Sequence, residues 1–424
     1  MSPSPPTSAN KPEIMDRVAA MGPRFAERAA AAEDARRIPQ ESVDEMIAAG
    51  FARILIPTEA GGYGLGFDTW FEVTRELCKA DASHGWCASL IIHHNHLIAQ
   101  FPQQAQKTLW ANGLDVPIAA SFAPAVQATV ADGGYRISGK GSPFASGVDH
   151  CTWVMLGGMV PDPAGGPPEW KFFLVPPGDY TVRDTWFTAG MRGTGSKTIV
   201  VDNAFVPSGL VLKLTELRDG KTPGGAIYKD TIFHTPFFYY APISFATPML
   251  GAAQGAYEHF REWTKGRRGQ DGSELANRTS LQVRMARSAA DLDAADLLLR
   301  RAVNVTDAPQ DYSPDHLARS VRDFARVSEL TVGVIDTLMA LSGTASFNTS
   351  SPLQRAWRDI HFMSMHIAVN TEMNFIHYGR MALGLGRDAS RPYFYGRISV
   401  IPPAPPTDRR GRGTSADPRY SVAN

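Results

Sequence analysis

Three groups of side chains stand at spacings suited to proton transfer. The stretch "GKGSPFASGVDHCTW" (139–153) places Ser146, Asp149, His150 and Cys151 among small residues. "HGWCASLIIHHNHL" (84–97) carries Trp86 and then His93, His94 and His96. "WRDIHFMSMH" (357–366) carries His361 and His366. An imidazole of ordinary pKa gives or takes a proton near neutral pH. Such help is worth about 10²–10⁴-fold in rate. A serine hydroxyl donates and accepts, and a following glycine lets another backbone or a ligand come close. A metal site is disfavoured for His93, His94 and His96. On a helix, neighbours at i+1 and i+2 point apart, and no carboxylate stands at helical spacing to complete a ligand set. His361 and His366, five apart, would differ by about 140° around a helix, so only one can face a given cleft.

The backbone that must hold these groups changes its period twice. In "IPQESVDEMIAAGF", Val43, Met46 and Ile47 repeat at i, i+3, i+4 and Gly50 can close the helix. Asp68 and Ser83 are expected to cap the next two helices. Residues 12–115 therefore read as an N-terminal α-helical domain. Beyond that, segments such as "VQATVADGGYRISGKG" and "HCTWVMLGGMV" are short, rich in β-branched and aromatic residues, and cut by Gly and Pro, with a hairpin turn at "ADGG". Residues 116–235 read as a middle antiparallel β domain. Residues 236–389 hold four long amphipathic segments, the last running unbroken through "SPLQRAWRDIHFMSMHIAVNTEMNFIHYGRMAL", and read as a C-terminal four-helix bundle. Residues 1–11 read as a disordered tail. Residues 390–424, rich in Pro and Arg, read as disordered or as an arm onto a neighbour. The fold class is α+β, with clefts at both junctions of the β domain.

Composition narrows the function. Lys+Arg and Asp+Glu both number 42, which argues against a nucleic-acid binder with a basic face. The three cysteines, 78, 87 and 151, form neither a disulfide framework nor a zinc knuckle. No leader opens the chain and no run of 18 apolar residues occurs, so a cytoplasmic protein is expected. No G-x-G-x-x-G follows a strand, so the chain is not expected to bind a dinucleotide reductant itself.

Five segments in order carry a family resemblance: "AAGFARILIPTEAGGYG", "DASHGWCASLIIHHNHL", "ASFAP" with "GKGSPFASGVDHCTW", "AGMRGTGSKTIVVDNAFVP" and "PLQRAWRDIHFMSMH". Over about 13–386 the chain resembles the acyl-CoA dehydrogenase fold. Within that fold it is similar to the two-component monooxygenases that use reduced flavin to hydroxylate aromatic or heteroaromatic molecules. The dehydrogenases commonly carry a catalytic glutamate shortly after the R-D pair of the last core helix. Here Ile367 stands at that place, with His366 beside it. Glu372 lies on a different helical face, and Glu258 is an alternative on another helix.

The resemblance implies FMNH2 or FADH2 delivered by a separate NAD(P)H:flavin reductase, and O2 as co-substrate. The oxidant would be a C4a-hydroperoxyflavin and the substrate a small aromatic molecule. It implies His366, Ser146 and His94 as catalytic residues. Ser121, Phe122, Ser146, Gly147, Thr194, Gly195, Ser196 and Arg267 would contact the flavin. His94, Trp86 and Phe238 would contact the substrate, with His93 as the rival of His94, and His150 would play a supporting part. A homotetramer is implied. Structural roles compete for each: a strand end at Ser146, a Gly-rich turn at 194–196, an exposed loop arginine at Arg267. Two other functions remain open from residues alone: an FAD enzyme like the acyl-CoA dehydrogenases or nitroalkane oxidases, and a non-catalytic flavin or aromatic-ligand binder.

Overall fold

The first helix begins with a reciprocal cap. Asn10 Oδ1 accepts from the Glu13 amide and Glu13 Oε2 accepts from the Asn10 amide, both at 3.0 Å. In this computed structural model, which describes residues 5–307 and 312–386, the expected N-terminal tail is held at Pro6. Tyr63 Oη donates to the Pro6 carbonyl at 2.9 Å, and Lys11 already lies in α1. The tail expected at 390–424 lies outside the described residues.

The N-terminal helices are α1 (Lys11–Ala35), α2 (Gln40–Ala48), α3 (Phe67–Ala80), α4 (Ala82–Gln100) and α5 (Gln103–Leu109). The caps differ from expectation. Gly66 precedes α3, and Asp68 lies inside it. Asp81 rather than Ser83 caps α4, its Oδ2 accepting from the His84 amide at 3.0 Å. All residues of α4 are buried. A helix buried on every face belongs in the middle of a fold, and α4 touches α3, α8 and β1 at once.

Seven strands follow: β1 (Ile118–Ala131), β2 (Gly134–Ala145), β3 (Trp153–Val160), β4 (Glu169–Val175), β5 (Thr181–Arg183), β6 (Lys197–Pro207) and β7 (Val211–Lys213). They form one sheet in the order β5-β6-β2-β1-β3-β4-β7. The expected antiparallel domain is in fact mixed. β1 and β3 pair in parallel, while every other neighbouring pair is antiparallel. The reason is the path of residues 146–152. The β1–β2 hairpin reverses the chain, and this connection then carries it past β1 to the opposite edge, where a second reversal restores the direction of β1.

Two irregularities shape the β side of the site. Between Ser121 and Pro124, β1 bulges against β3. Gly157 makes room for it, since a Cβ there would stand 2.1 Å from the Phe122 carbonyl oxygen. β2 shifts register against β6 at Gly139, Ser142 and Ala145. The stretch 139–153 is therefore a repeatedly bulged strand end, the kind of place where a side chain is re-aimed.

The chain then forms α6 (Leu214–Arg218), α7 (Phe237–Tyr240), α8 (Ile243–Thr264), α9 (Thr279–Asp307), α10 (Pro314–Ser342), α11 (Pro352–Ser364) and α12 (Thr371–Ala382). The fourth bundle segment is not continuous. It breaks between α11 and α12, where His366 adopts extended backbone (ψ 135°) and Asn370 Oδ1 caps α12 by accepting from the Met373 amide at 3.0 Å. α10 alone among the described residues is long and apolar enough to cross a membrane. Here it packs against α8, α9, α11 and α12.

Candidate active site

Ser146 lies at the end of β2, followed by Gly147 in the left-handed region (φ 69°), which turns the chain away from the sheet. The hydroxyl of Ser146 meets two partners. Trp86 Nε1 of α4 donates to it at 3.0 Å, and Ser196 Oγ lies 2.7 Å away. Ser196 Oγ in turn lies 2.6 Å from Thr194 Oγ1, which donates to the Met191 carbonyl at 2.8 Å. Thr194 and Ser196, which the resemblance places against the flavin's phosphate or ribityl side, are 2% and 4% exposed, and their hydroxyls meet one another. Gly195 (φ 56°) serves the turn itself, beside the Arg36 carbonyl and Asp149.

The same α4 tryptophan reaches the C-terminal helices. Phe245 of α8 lies 5.5 Å from Trp86, and the His366 ring stacks on Phe245 at 3.7 Å and 15°. Trp86 and His366 meet edge-on at 6.5 Å. His366 Nδ1 accepts from the Ala368 amide at 3.2 Å. Packing against these rings pushes the His366 pKa down to about 4. His366 does not lie on a helix as expected but follows the end of α11, and its lowered pKa stands below the near-neutral value of an ordinary imidazole. His361, still within α11, bonds the Trp357 carbonyl through Nδ1 and faces Asp336 at 3.4 Å.

Further along α4, His94 Nδ1 donates to the Ile118 carbonyl of β1 at 2.6 Å. Its Nε2 is buried without a partner, and burial lowers its pKa to about 4. Its ring faces Phe122 of the β1 bulge at 6.1 Å. His93 turns the other way, into Trp70 and Tyr240, with both ring nitrogens unpartnered. Burial, then the neighbouring His94 and His96, holds its pKa well below the usual range. Phe237 contacts Phe122, His93 and Tyr240. Phe238 is 7% exposed and packs edge-on against Phe237.

Ser121 donates to the Pro143 carbonyl at 2.7 Å, tying the β1 bulge to the strand that carries Ser146. His150 bonds Gln40 and the Ile38 carbonyl and joins the β domain to the start of α2. Arg267 is exposed, stacks on Trp263 at 4.5 Å, and lines a separate cavity of about 300 Å³ with His259, Asn348 and Ser351. No contact joins it to Ser146 or His366. Among the described residues no group of His, Cys, Asp or Glu is placed to hold a metal ion.

One arrangement escaped the sequence, and another gives the R-D pair, read there as architecture or subunit contact, its bonds. Ser42, His84 and Asp81 form a serine–histidine–aspartate chain, with Ser42 Oγ 3.1 Å from His84 Nε2 and His84 Nδ1 2.7 Å from Asp81 Oδ2. Ser42 and His84 are 0% exposed and Phe25 stacks on the imidazole, so no ester can reach the hydroxyl. Asp359 accepts from the Met191 amide at 2.5 Å and fixes the loop that ends the hydroxyl chain. Burial, then repulsion from Asp81, raises its pKa to about 7. Arg358 supports the same loop by donating to the Ala189 carbonyl at 2.6 Å.

A helical domain, a mixed sheet and a second helical domain, with side chains from all three meeting around Trp86, are features of a flavoenzyme fold. The descriptions "Acyl-CoA dehydrogenase, N-terminal domain" and "Acyl-CoA dehydrogenase, C-terminal domain" match residues 13–114 and 243–371. The oxygenase subunit HsaA of a flavin-dependent monooxygenase from Rhodococcus jostii (strain RHA1) is 35% identical over 88% of this chain and 98% of its own. The oxygenase component of an FADH(2)-dependent resorcinol hydroxylase from Rhizobium sp. (strain MTP-10005) is 34% identical, covering 91% and 98%. Among solved structures, XiaF from Streptomyces sp. in complex with FADH2 and glycerol superposes with a TM-score of 0.81 at 30% identity, covering 88% and 96%. The chain belongs to the oxygenase subunits of flavin-dependent monooxygenases, built on the acyl-CoA dehydrogenase fold. It is an oxidoreductase of that class and works with reduced flavin.

Proposed function

We propose that this oxygenase component hydroxylates a small phenol-like aromatic molecule, using FMNH2 or FADH2 from a separate NAD(P)H:flavin reductase in the cytoplasm. The observation that carries the reading is the buried, unpartnered Nε2 of His94 beside the Phe122 ring. A buried polar atom left unpaired costs about 1–3 kcal/mol, and an aromatic hydroxyl would pair with that nitrogen while its ring packs on Phe122 and Phe237. Neutral His94, with its proton on Nδ1, accepts that hydroxyl proton.

The residues around Ser146 fit a reduced flavin. The hydroxyl retains a lone pair for an N–H at the ring edge, and Gly147 has open space, with only Cys87 Sγ at 3.8 Å from where a Cβ would stand. Ser121 and Phe122 border the same edge. When bound, the reduced flavin supplies two electrons and activates O2, so that one oxygen enters the substrate and the other leaves as water. His366 holds a proton on Nε2 for the departing oxygen, and Trp86 and Phe245 keep water from the ring. Arg267 fits a different duty, holding the phosphates of a partner subunit's flavin in a homotetramer. Leu297 (68% exposed) and Val283 (46% exposed) on α9 offer apolar surface for such an assembly.

The test is a turnover panel of phenols, indoles and thiophenes with a flavin reductase and NADH, scored by product per NADH. Product from phenols with no yellow cofactor in the purified protein is expected. A tightly held oxidised flavin and thioester turnover would favour the dehydrogenase reading instead.

A further inference from the structure

The hydroxyl chain at Ser146 has a direction that its two ends impose. At one end stands Trp86 Nε1–H, which can only donate; at the other, the Met191 carbonyl, which can only accept. Thr194 gives its single hydroxyl proton to Met191, so across the 2.6 Å contact Ser196 must donate to Thr194. Ser196 has then spent its proton, so across the 2.7 Å contact Ser146 must donate to Ser196. Ser146 accepts from Trp86 and is left with one lone pair and no free proton. The terminus is fixed in turn. The Met191 carbonyl also accepts from Trp186 Nε1 at 3.0 Å, and the Met191 amide is held by Asp359.

We propose that Ser196 and Thr194 are positioning residues that set the polarity of Ser146, so that the site accepts the N5–H of reduced flavin and rejects oxidised flavin. This rests on the reading above, that Ser146 faces the flavin ring edge. Oxidised flavin presents a bare N5 lone pair, which would meet the Ser146 lone pair; reduced flavin presents a donor. The oxygenase thereby avoids occupation by the spent form of its own co-substrate.

The chain logic gives a graded test. In Ser196→Ala, Ser146 recovers its proton and can serve either flavin form. In Thr194→Val, Ser196 loses its acceptor and turns its proton onto Ser146. Both Ser146 lone pairs are then filled and only a donor faces N5. Trp86→Phe leaves the Ser146 proton on Ser196. Dissociation constants for FMN, FMNH2, FAD and FADH2 are measured anaerobically by calorimetry, with circular dichroism to check folding. The wild type is expected to favour the reduced form by at least about tenfold, roughly 1.4 kcal/mol. That ratio should fall in Ser196→Ala and fall further in Thr194→Val, chiefly through tighter oxidised flavin, while Trp86→Phe keeps it. A ratio unchanged in both Ser196→Ala and Thr194→Val, with flavin still bound, overturns the polarity argument alone. A wild type that binds neither form overturns the underlying reading as well.

Discussion

His94 and His366 end in nitrogens of opposite polarity. The Ile118 carbonyl takes the Nδ1 proton of His94 and leaves Nε2 as an acceptor; the Ala368 amide occupies Nδ1 of His366 and leaves Nε2–H as a donor. The full burial of His94, and the packing of the half-buried His366 against Phe245, hold each pKa at about 4, so both are neutral at pH 7. His366→Ala should lower product formation about 10²–10⁴-fold, with flavin still consumed and hydrogen peroxide released instead. His366→Gln, which keeps an N–H at similar reach, should recover part of the loss. Yield should be flat from about pH 5.5 to 8, because neither imidazole titrates in that range. A bell-shaped profile centred near 6.5 would show that the burial of these rings is relieved during turnover.

Ser146→Ala should keep flavin affinity within about tenfold, roughly 1.4 kcal/mol. The effect should appear in coupling: more hydrogen peroxide and less product for each flavin oxidised. An unaltered ratio of peroxide to product would remove Ser146 from the flavin edge.

Stability should decline as the solution is acidified from about pH 6.5 toward 4. His93, His94, His96 and His366 all have lowered pKa values in the fold, chiefly through burial. Unfolding therefore takes up protons in that window, so the folded state is fully favoured above pH 6.5 and loses ground as pH falls. Asp359 works the other way. Its pKa of about 7 makes folding cost a proton that the unfolded chain releases, so its contribution is lost as pH rises from about 4 to 7. Urea midpoints at pH 5 and 7 should show the histidines winning, and Asp359→Asn should steepen the acid decline. A midpoint that rises on acidification would reverse this assignment.

Light scattering at micromolar concentration should give the mass of four chains. A monomer would leave the exposed leucine and valine of α9 unexplained and would exclude any role for Arg267 across an interface.

Much of this site was legible in the sequence, and the omissions have physical causes. Trp86, Ser146 and His366 do converge, because family motifs keep order even where single patterns are weak. The parallel pairing of β1 with β3 was not legible, since alternation of side chains says which face is buried but not which edge the next strand joins. The break at His366 carries no Pro or Gly; its signs are the cap residue Asn370 and the weak helix formers His366, Ile367, Val369 and Thr371 around it, which a long amphipathic run overrides. Phe245 looks in sequence like any apolar bundle position. The contact of Ser146 with Ser196 spans fifty residues and depends on the bulges of β2, which no local pattern encodes.

The hold of Asp359 on Met191 bears on how the enzyme can move. α11 leads at its C-terminal end to His366, and through Asp359 it anchors the loop from which the Ser146 hydroxyl chain is hung. Ser146 is also bonded to Trp86 of α4, the helix that carries His94, and His94 is bonded to Ile118 of β1. His366, Ser146 and His94 are thus cross-braced through α11, the sheet and α4. A rocking of one helical domain alone would have to break one of these bonds before it changed the spacing of the three.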